Sequence, residues 1–251
     1  MFGAIVGSFL NVVILRLPGG TASIVYPASR CPRCLRPLSW YDNIPVVSYL
    51  FLRGRCRHCR EKISLQYPAV ELAMAFFSAA LVWKFGLTVT SAGFFLLVAA
   101  LLVISVIDIH RQIIPDIISL PGIAAGCLFA IVSGHITWQD SLFGILFGGG
   151  IFYAVAGLYQ FLRNKEGMGG GDIKLLAMLG AFLGWRSLPF IILASSLAGS
   201  IIGLSLIALG KRPAAARIPF GPYLAAAAIV YLFFATEIQV GLRAYLHGQW
   251  P

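Results

Sequence analysis

Apolar residues along this 251-residue chain gather into long runs separated by short polar stretches, with one longer polar interval. The runs lie near 1–17, 69–86, 90–108, 117–133, 141–162, 173–185, 188–209 and 221–240. A helix needs about 20 mostly apolar residues to cross hydrocarbon, so the pattern predicts an all-α polytopic membrane protein with about eight transmembrane helices. The first and sixth runs are short, which predicts tilted, broken or locally thin spans. The polar interval, 18–68, is rich in proline and arginine and predicts a small soluble insert between the first two helices. The expected division is therefore a first helix at 1–17, the insert at 18–68 and a membrane domain carrying the other helices at 69–251. The start, Met1-Phe2-Gly3-Ala4-Ile5-Val6, has no cationic region and no small-residue cleavage site follows, which argues against a cleaved signal peptide.

Composition supports the membrane reading. Hydrophobic residues make up 59% of the chain and charged residues 11%, with a mean hydropathy of +0.87; soluble domains carry roughly 25% charged residues. The net charge of +10 would suit a nucleic-acid partner, but its placement argues for topology instead. Eight spans put the insert and the segments near 109–116, 163–174 and 210–219 on one side. Those segments, with Arg16, hold 16 of the 19 Lys and Arg, leaving Lys84, Arg186 and Arg243 opposite. Cationic loops stay in the cytoplasm. Both termini are thus expected outside, and two acids at helix ends, Asp108 and Asp172, at the cytoplasmic face.

The insert contains two CxxC knuckles, Cys31-Pro32-Arg33-Cys34 and Cys56-Arg57-His58-Cys59, with 21 residues between them. Four thiolates at that spacing can close a tetrahedral zinc site. Disulfides rarely persist in the reducing cytoplasm, so structural zinc held by Cys31, Cys34, Cys56 and Cys59 is the expected reading. An insert of this size has little core, and metal would supply much of its folding free energy. Four cysteines leave no open position for catalytic water, and His58 reads as a surface residue. Cys127, in an apolar helix, is explained by packing.

Ionisable groups at membrane depth are costly and usually functional. Asp108 ends the run Leu101-Leu102-Val103-Ile104-Ser105-Val106-Ile107, where a carboxylate faces the unfavourable end of the helix dipole; pairing with Arg111 at the interface is its structural alternative. Asp116, after Pro115 and before the next run, is explained as an N-cap. Asp172 follows Gly169-Gly170-Gly171, and could likewise cap a helix. The three glycines would also let an extended substrate backbone approach the acid. Lys174, within a turn of it, would favour ionised Asp172 or meet lipid headgroups. Two carboxylates brought together can divide the roles of general base and general acid. That chemistry suits a chain with no GxSxG and no HExxH.

Several stretches together resemble the type IV prepilin leader peptidases, a family of GxGD membrane aspartyl proteases. They are Gly7-Ser8-Phe9-Leu10-Asn11-Val12, the two knuckles, Tyr67-Pro68-Ala69-Val70-Glu71, Asp108 through Asp116, Glu166 through Lys174, and Ile218-Pro219-Phe220-Gly221-Pro222-Tyr223. The resemblance implies that Asp108 and Asp172 form the catalytic dyad, with Gly169-Gly170-Gly171-Asp172 as the GxGD motif. It implies cleavage of type IV prepilins or type II secretion pseudopilins after a glycine that ends a basic leader, at the cytoplasmic face of the bacterial inner membrane. It also implies N-methylation of the new terminus with S-adenosylmethionine, although no Rossmann-type glycine fingerprint is present. Glu71 is expected either as a helix-dipole acid at the start of the second span or as a contact for the substrate amine. Two other classes compete: a proton- or cation-coupled transporter using the intramembrane acids, and a zinc-ribbon assembly factor in which the acids are caps.

Overall fold

The apolar runs become helices in the computed structural model, which describes residues 1–19, 23, 26, 28–31, 33–163, 169–210 and 218–246. The helices are α1 (Phe2–Arg16), α2 (Val47–Phe51), α3 (Gln66–Phe85), α4 (Val89–Arg111), α5 (Asp116–Ser133), α6 (Trp138–Ile145), α7 (Phe152–Arg163), α8 (Gly170–Leu183), α9 (Leu188–Ala208) and α10 (Gly221–Leu246). A six-residue π-helical segment, Leu146–Ile151, joins α6 to α7, so that Trp138–Leu162 serves as a single span. No extended strand occurs among the described residues, only two isolated bridges in the insert. The chain falls into two compact units, Met1–Ile107 and Asp108–Pro251.

In the first unit α1 and α3 pack at backbone distance. A Cβ at Gly3 would lie 2.6 Å from the Met74 carbonyl oxygen, and one at Gly7 2.7 Å from the Glu71 Cα. Lipid offers no hydrophobic drive between helices, so such small-residue contact is how membrane helices gain association energy. One turn further, Asn11 Nδ2 donates to the Tyr67 carbonyl at 3.1 Å and fixes the end of α1 against the start of α3. The insert thus leaves and re-enters the helix pair at one end.

In the second unit α8 is the central element. Ile173 and every residue from Leu175 to Leu183 are buried. The glycines of its neighbours make this possible: a Cβ at Gly126 of α5 would lie 2.6 Å from the Ala181 Cβ, and one at Gly148 of the π segment 2.5 Å from the Leu176 carbonyl oxygen. Gly144 of α6 and Gly180 of α8 meet backbone to backbone.

Among the described residues, seven helical stretches are long and apolar enough to span a membrane, and α8, with 14 residues, is too short by that measure. At about 1.5 Å per residue it extends about 21 Å. Its two ends nevertheless bond on opposite faces of the unit. Near its start, Lys174 pairs with Asp116 at the beginning of α5. Near its end, the Ala181 carbonyl accepts from Ser141, and Trp185 donates to Asp140, both at the beginning of α6. The short sixth run thus forms a helix enclosed by protein, where lipid thickness sets no length requirement.

This packing makes a direct prediction. Gly180→Val drives a branched side chain into the Gly144 backbone and is expected to lower stability by about 1–3 kcal/mol or more, whereas Gly150→Ala, where a Cβ meets nothing within 4 Å, should leave it unchanged. Thermal unfolding of the detergent-purified variants checks both.

Candidate active site and metal centre

Asp108 lies in the last turn of α4 with 5% of its surface exposed. Its Oδ2 accepts the Gly221 N–H at 2.8 Å. The sequence places this acid at the wrong end of its own helix dipole, and the fold supplies the right end of another: Gly221 is the first residue of α10, where unpaired N–H groups carry partial positive charge. A hydrogen bond to a charged group contributes about 1.5–3 kcal/mol. Gly221 has to be a glycine, because a Cβ there would sit 2.8 Å from the same oxygen. Its role was not foreseen; the signal was the Pro219-Phe220-Gly221-Pro222 motif, whose prolines flank the one residue that has both an N–H and no side chain.

Asp172 is half-buried in the first turn of α8. The capping expectation is corrected: Gly169 is the N-cap, and no side-chain cap bond is made. The Asp108 and Asp172 carboxyls are close enough for their charges to interact. The glycines between cap and acid are not equivalent. A Cβ at Gly171 would press on Ile114 at 2.9 Å and one at Gly169 would lie 3.0 Å from Asp172 Oδ2, while one at Gly170 meets nothing within 4 Å. Gly171 is thus spent on packing, and Gly170 leaves open space beside the acid. Glu166, Gly167 and Met168, part of the same motif, lie outside the described residues.

Asp116 is also not an N-cap. Pro115 occupies that position, and Asp116 Oδ2 instead holds Lys174 Nζ at 2.7 Å. The Lys174 charge therefore goes to α5. Glu71 departs from its expected place as well: it stands in the second turn of α3, is 7% exposed, and its Oε2 accepts the Val46 N–H at 2.7 Å. Val46 has φ +61°, a conformation unusual for a β-branched residue, so the loop before α2 is held to the membrane helix by this bond.

The four knuckle sulfurs lie within 4.8 Å of one another, with Cys31 Sγ and Cys59 Sγ 3.7 Å apart. Tetrahedral thiolates bonded to zinc at about 2.3 Å stand about 3.8 Å apart, so the cluster fits the metal. The knuckles repeat one design. Leu35 N–H donates to the Cys31 carbonyl and Arg60 N–H to the Cys56 carbonyl, with Leu35 and Arg60 both at positive φ. The N–H groups of Cys59 and His58 lower the Cys56 thiol to about 7, toward the thiolate a metal needs. The His58 ring bonds Arg36 at 3.1 Å, outside the sulfur set. Cys127 lies in α5, where Ser141 Oγ approaches its sulfur at 3.9 Å.

The cavity described among these residues is a poor place for the methyl donor. A cavity of about 480 Å³ lined by Ser196, Gly199, Ser200, Gly203, Ile218 and Phe220, among others, offers no carboxylate for a ribose or a sulfonium. It does not fit S-adenosylmethionine. The zinc fit yields an expectation: the purified chain should carry one zinc, Cys31→Ser or Cys56→Ser should lose it along with the folded insert, and Cys127→Ser should keep it. Elemental analysis and limited proteolysis read both.

Residues 1–85 match the family model described as the bacterial peptidase A24 N-terminal domain, and residues 95–204 match that of the type IV leader peptidase family. Three curated relatives carry the name prepilin leader peptidase/N-methyltransferase. That of Pseudomonas aeruginosa is 40% identical, covering 98% of this chain and 91% of its own length. Those of Stutzerimonas stutzeri and Aeromonas hydrophila are 38% and 37% identical, each covering 95% of this chain and 90% of its own. No solved structure matches the chain. Two adjoining family matches, relatives similar from end to end, and a helical membrane fold bearing a four-cysteine insert agree: the chain belongs to the type IV leader peptidase family.

Proposed function

We propose that the protein is a multi-pass membrane aspartic endopeptidase that removes the leader from prepilins or pseudopilins and methylates the amine it exposes. The observation that carries the reading is the pair of acids in one unit: Asp108, held by the α10 N-terminus, and Asp172, in the first turn of the buried helix α8. The name the relatives carry supports the substrate class and both activities. The transporter reading finds no support in these comparisons, and an assembly factor would leave the acids and their glycine-lined approach unused.

In this reading one carboxyl is ionised and the other protonated, as expected for two carboxyls sharing a site. The ionised acid takes a proton from water as its oxygen attacks the scissile carbonyl carbon. The protonated acid gives its proton to the amide nitrogen as the C–N bond breaks. The products are a leader carboxylate and a free N-terminal amine, with no covalent intermediate. The substrate backbone passes Gly170, where no side chain stands in its way, with Gly169 and Gly171 shaping the same turn. Lys174 contributes through Asp116 by fixing the first turn of α8 to α5. Glu71 and the zinc insert serve the methyl transfer, with Glu71 holding the insert's loop through one carboxylate oxygen and offering the other to the amine. The bias of Lys and Arg supports a cytoplasmic position for the acids in a bacterial inner membrane, and the proposed division is a zinc-binding domain at 18–68 and a protease domain at 69–251.

The test is mass spectrometry of a prepilin incubated with the purified protein. A leader-sized loss identifies the peptidase, and a further methyl-sized gain with S-adenosylmethionine identifies the transferase. Asp108→Asn and Asp172→Asn should each lower cleavage by about 10²- to 10⁴-fold or more, the range supplied by general acid–base groups. Asp116→Asn removes only an exposed ion pair, worth about 0–1 kcal/mol, and should keep most of the activity. Full cleavage by either dyad variant would overturn the assignment.

A further inference from the structure

The zinc-binding insert carries an apolar surface that the protease reading leaves unexplained. Trp40 opens a 3₁₀ turn (Trp40–Asn43) that packs on α2, and it is 82% exposed. Leu50 and Phe51 of α2 are 68% and 85% exposed. The acid within the turn does not reach the surface: the Asp42 side chain is 4% exposed and holds Arg57 through a 2.6 Å ion pair. That leaves aromatic and aliphatic groups outward on two adjoining elements. Large exposed apolar patches mark interaction surfaces.

Three observations identify what covers it. The insert is rooted between the ends of two spans, Phe2–Gly19 and Gln66–Phe85. Val46, the residue before α2, is bonded to Glu71, which lies about 7.5 Å along α3 from its first residue at 1.5 Å per residue. Helix α2 is therefore held level with the outer turns of a membrane helix, at the depth where a bilayer has its interfacial layer. Charge supplies the third. The insert has eight Lys and Arg against two carboxylates, Asp42 and Glu61, and those are taken by Arg57 and Arg33. Arg53, just beyond Phe51, and Arg55 are both exposed. Aromatic rings at the headgroup level beside cationic side chains are the pattern of a surface seated on an anionic bilayer.

We propose that Trp40, Leu50 and Phe51 seat the zinc-binding insert in the interfacial layer of an anionic bilayer, with Arg53 and Arg55 on lipid headgroups. The insert then lies on the membrane and does not project from it. This holds whether or not the chain cleaves prepilins, and its test uses no substrate.

The full chain is reconstituted into vesicles containing phosphatidylglycerol, and the Trp40 signal is taken as the difference between the unaltered protein and Trp40→Phe. Lipids brominated near the top of their acyl chains should quench that signal, and aqueous acrylamide should reach it poorly. Replacing Leu50 and Phe51 together by serine should restore acrylamide access while zinc content stays the same. Quenching of Trp40 by acrylamide with no effect of brominated lipid would overturn the proposal. Protection from both quenchers would overturn it too, since the patch would then be covered by protein.

Discussion

The close approach of α5 and α6 to α8 is the constraint on which the second unit depends. Glycine on the facing helices lets backbone meet backbone at Gly144 and Gly180, and the packing buries α8 on all sides. A helix buried on all sides has no face left for lipid, so its length answers to its neighbours. Fourteen residues suffice to carry the chain from the Asp116 face to the Asp140 face. The first turn of that rigid element bears Asp172, and a catalytic group on a packed helix is held far better than one on a loop. The function proposed for the acid thus rests on glycine contacts about two turns away.

Asp108 shows a second use of the same economy. Its charge is costly at membrane depth, and the fold meets the cost with a helix N-terminus brought from 113 residues further along the chain. Cleavage chemistry needs an acid that is buried, oriented and still reactive. A single backbone N–H fixes one carboxylate oxygen and leaves the other for water or substrate. The arrangement is therefore sensitive to a side chain at Gly221, a position with no ionisable group, because a Cβ there would lie 2.8 Å from the same oxygen.

Much of this was legible from the residues. Runs of apolar residues gave the helices, because crossing lipid imposes a length and a composition together. Paired CxxC knuckles gave the four-cysteine cluster, since tetrahedral thiolate ligation imposes its own spacing. Local pattern could not show pairings between distant residues. Asp116 reads as a cap from its neighbours alone, and only folding reveals that Lys174 claims it. Glu71 looks like a helix-dipole acid until Val46 is brought to it. The sixth run reads as a thin span because sequence periodicity does not distinguish a helix surrounded by lipid from one surrounded by protein. Partners of Asp108 were hidden for the same reason: a backbone N–H has no letter in the sequence.

The central claim is that two carboxyls activate water directly on the leader's peptide bond. It is tested by a single turnover in ¹⁸O-labelled water with hydroxylamine present. The account predicts one labelled oxygen in the new leader carboxylate and no leader hydroxamate. Hydroxamate formation, which requires an acyl-enzyme to trap, or an unlabelled carboxylate in that first turnover, would contradict it.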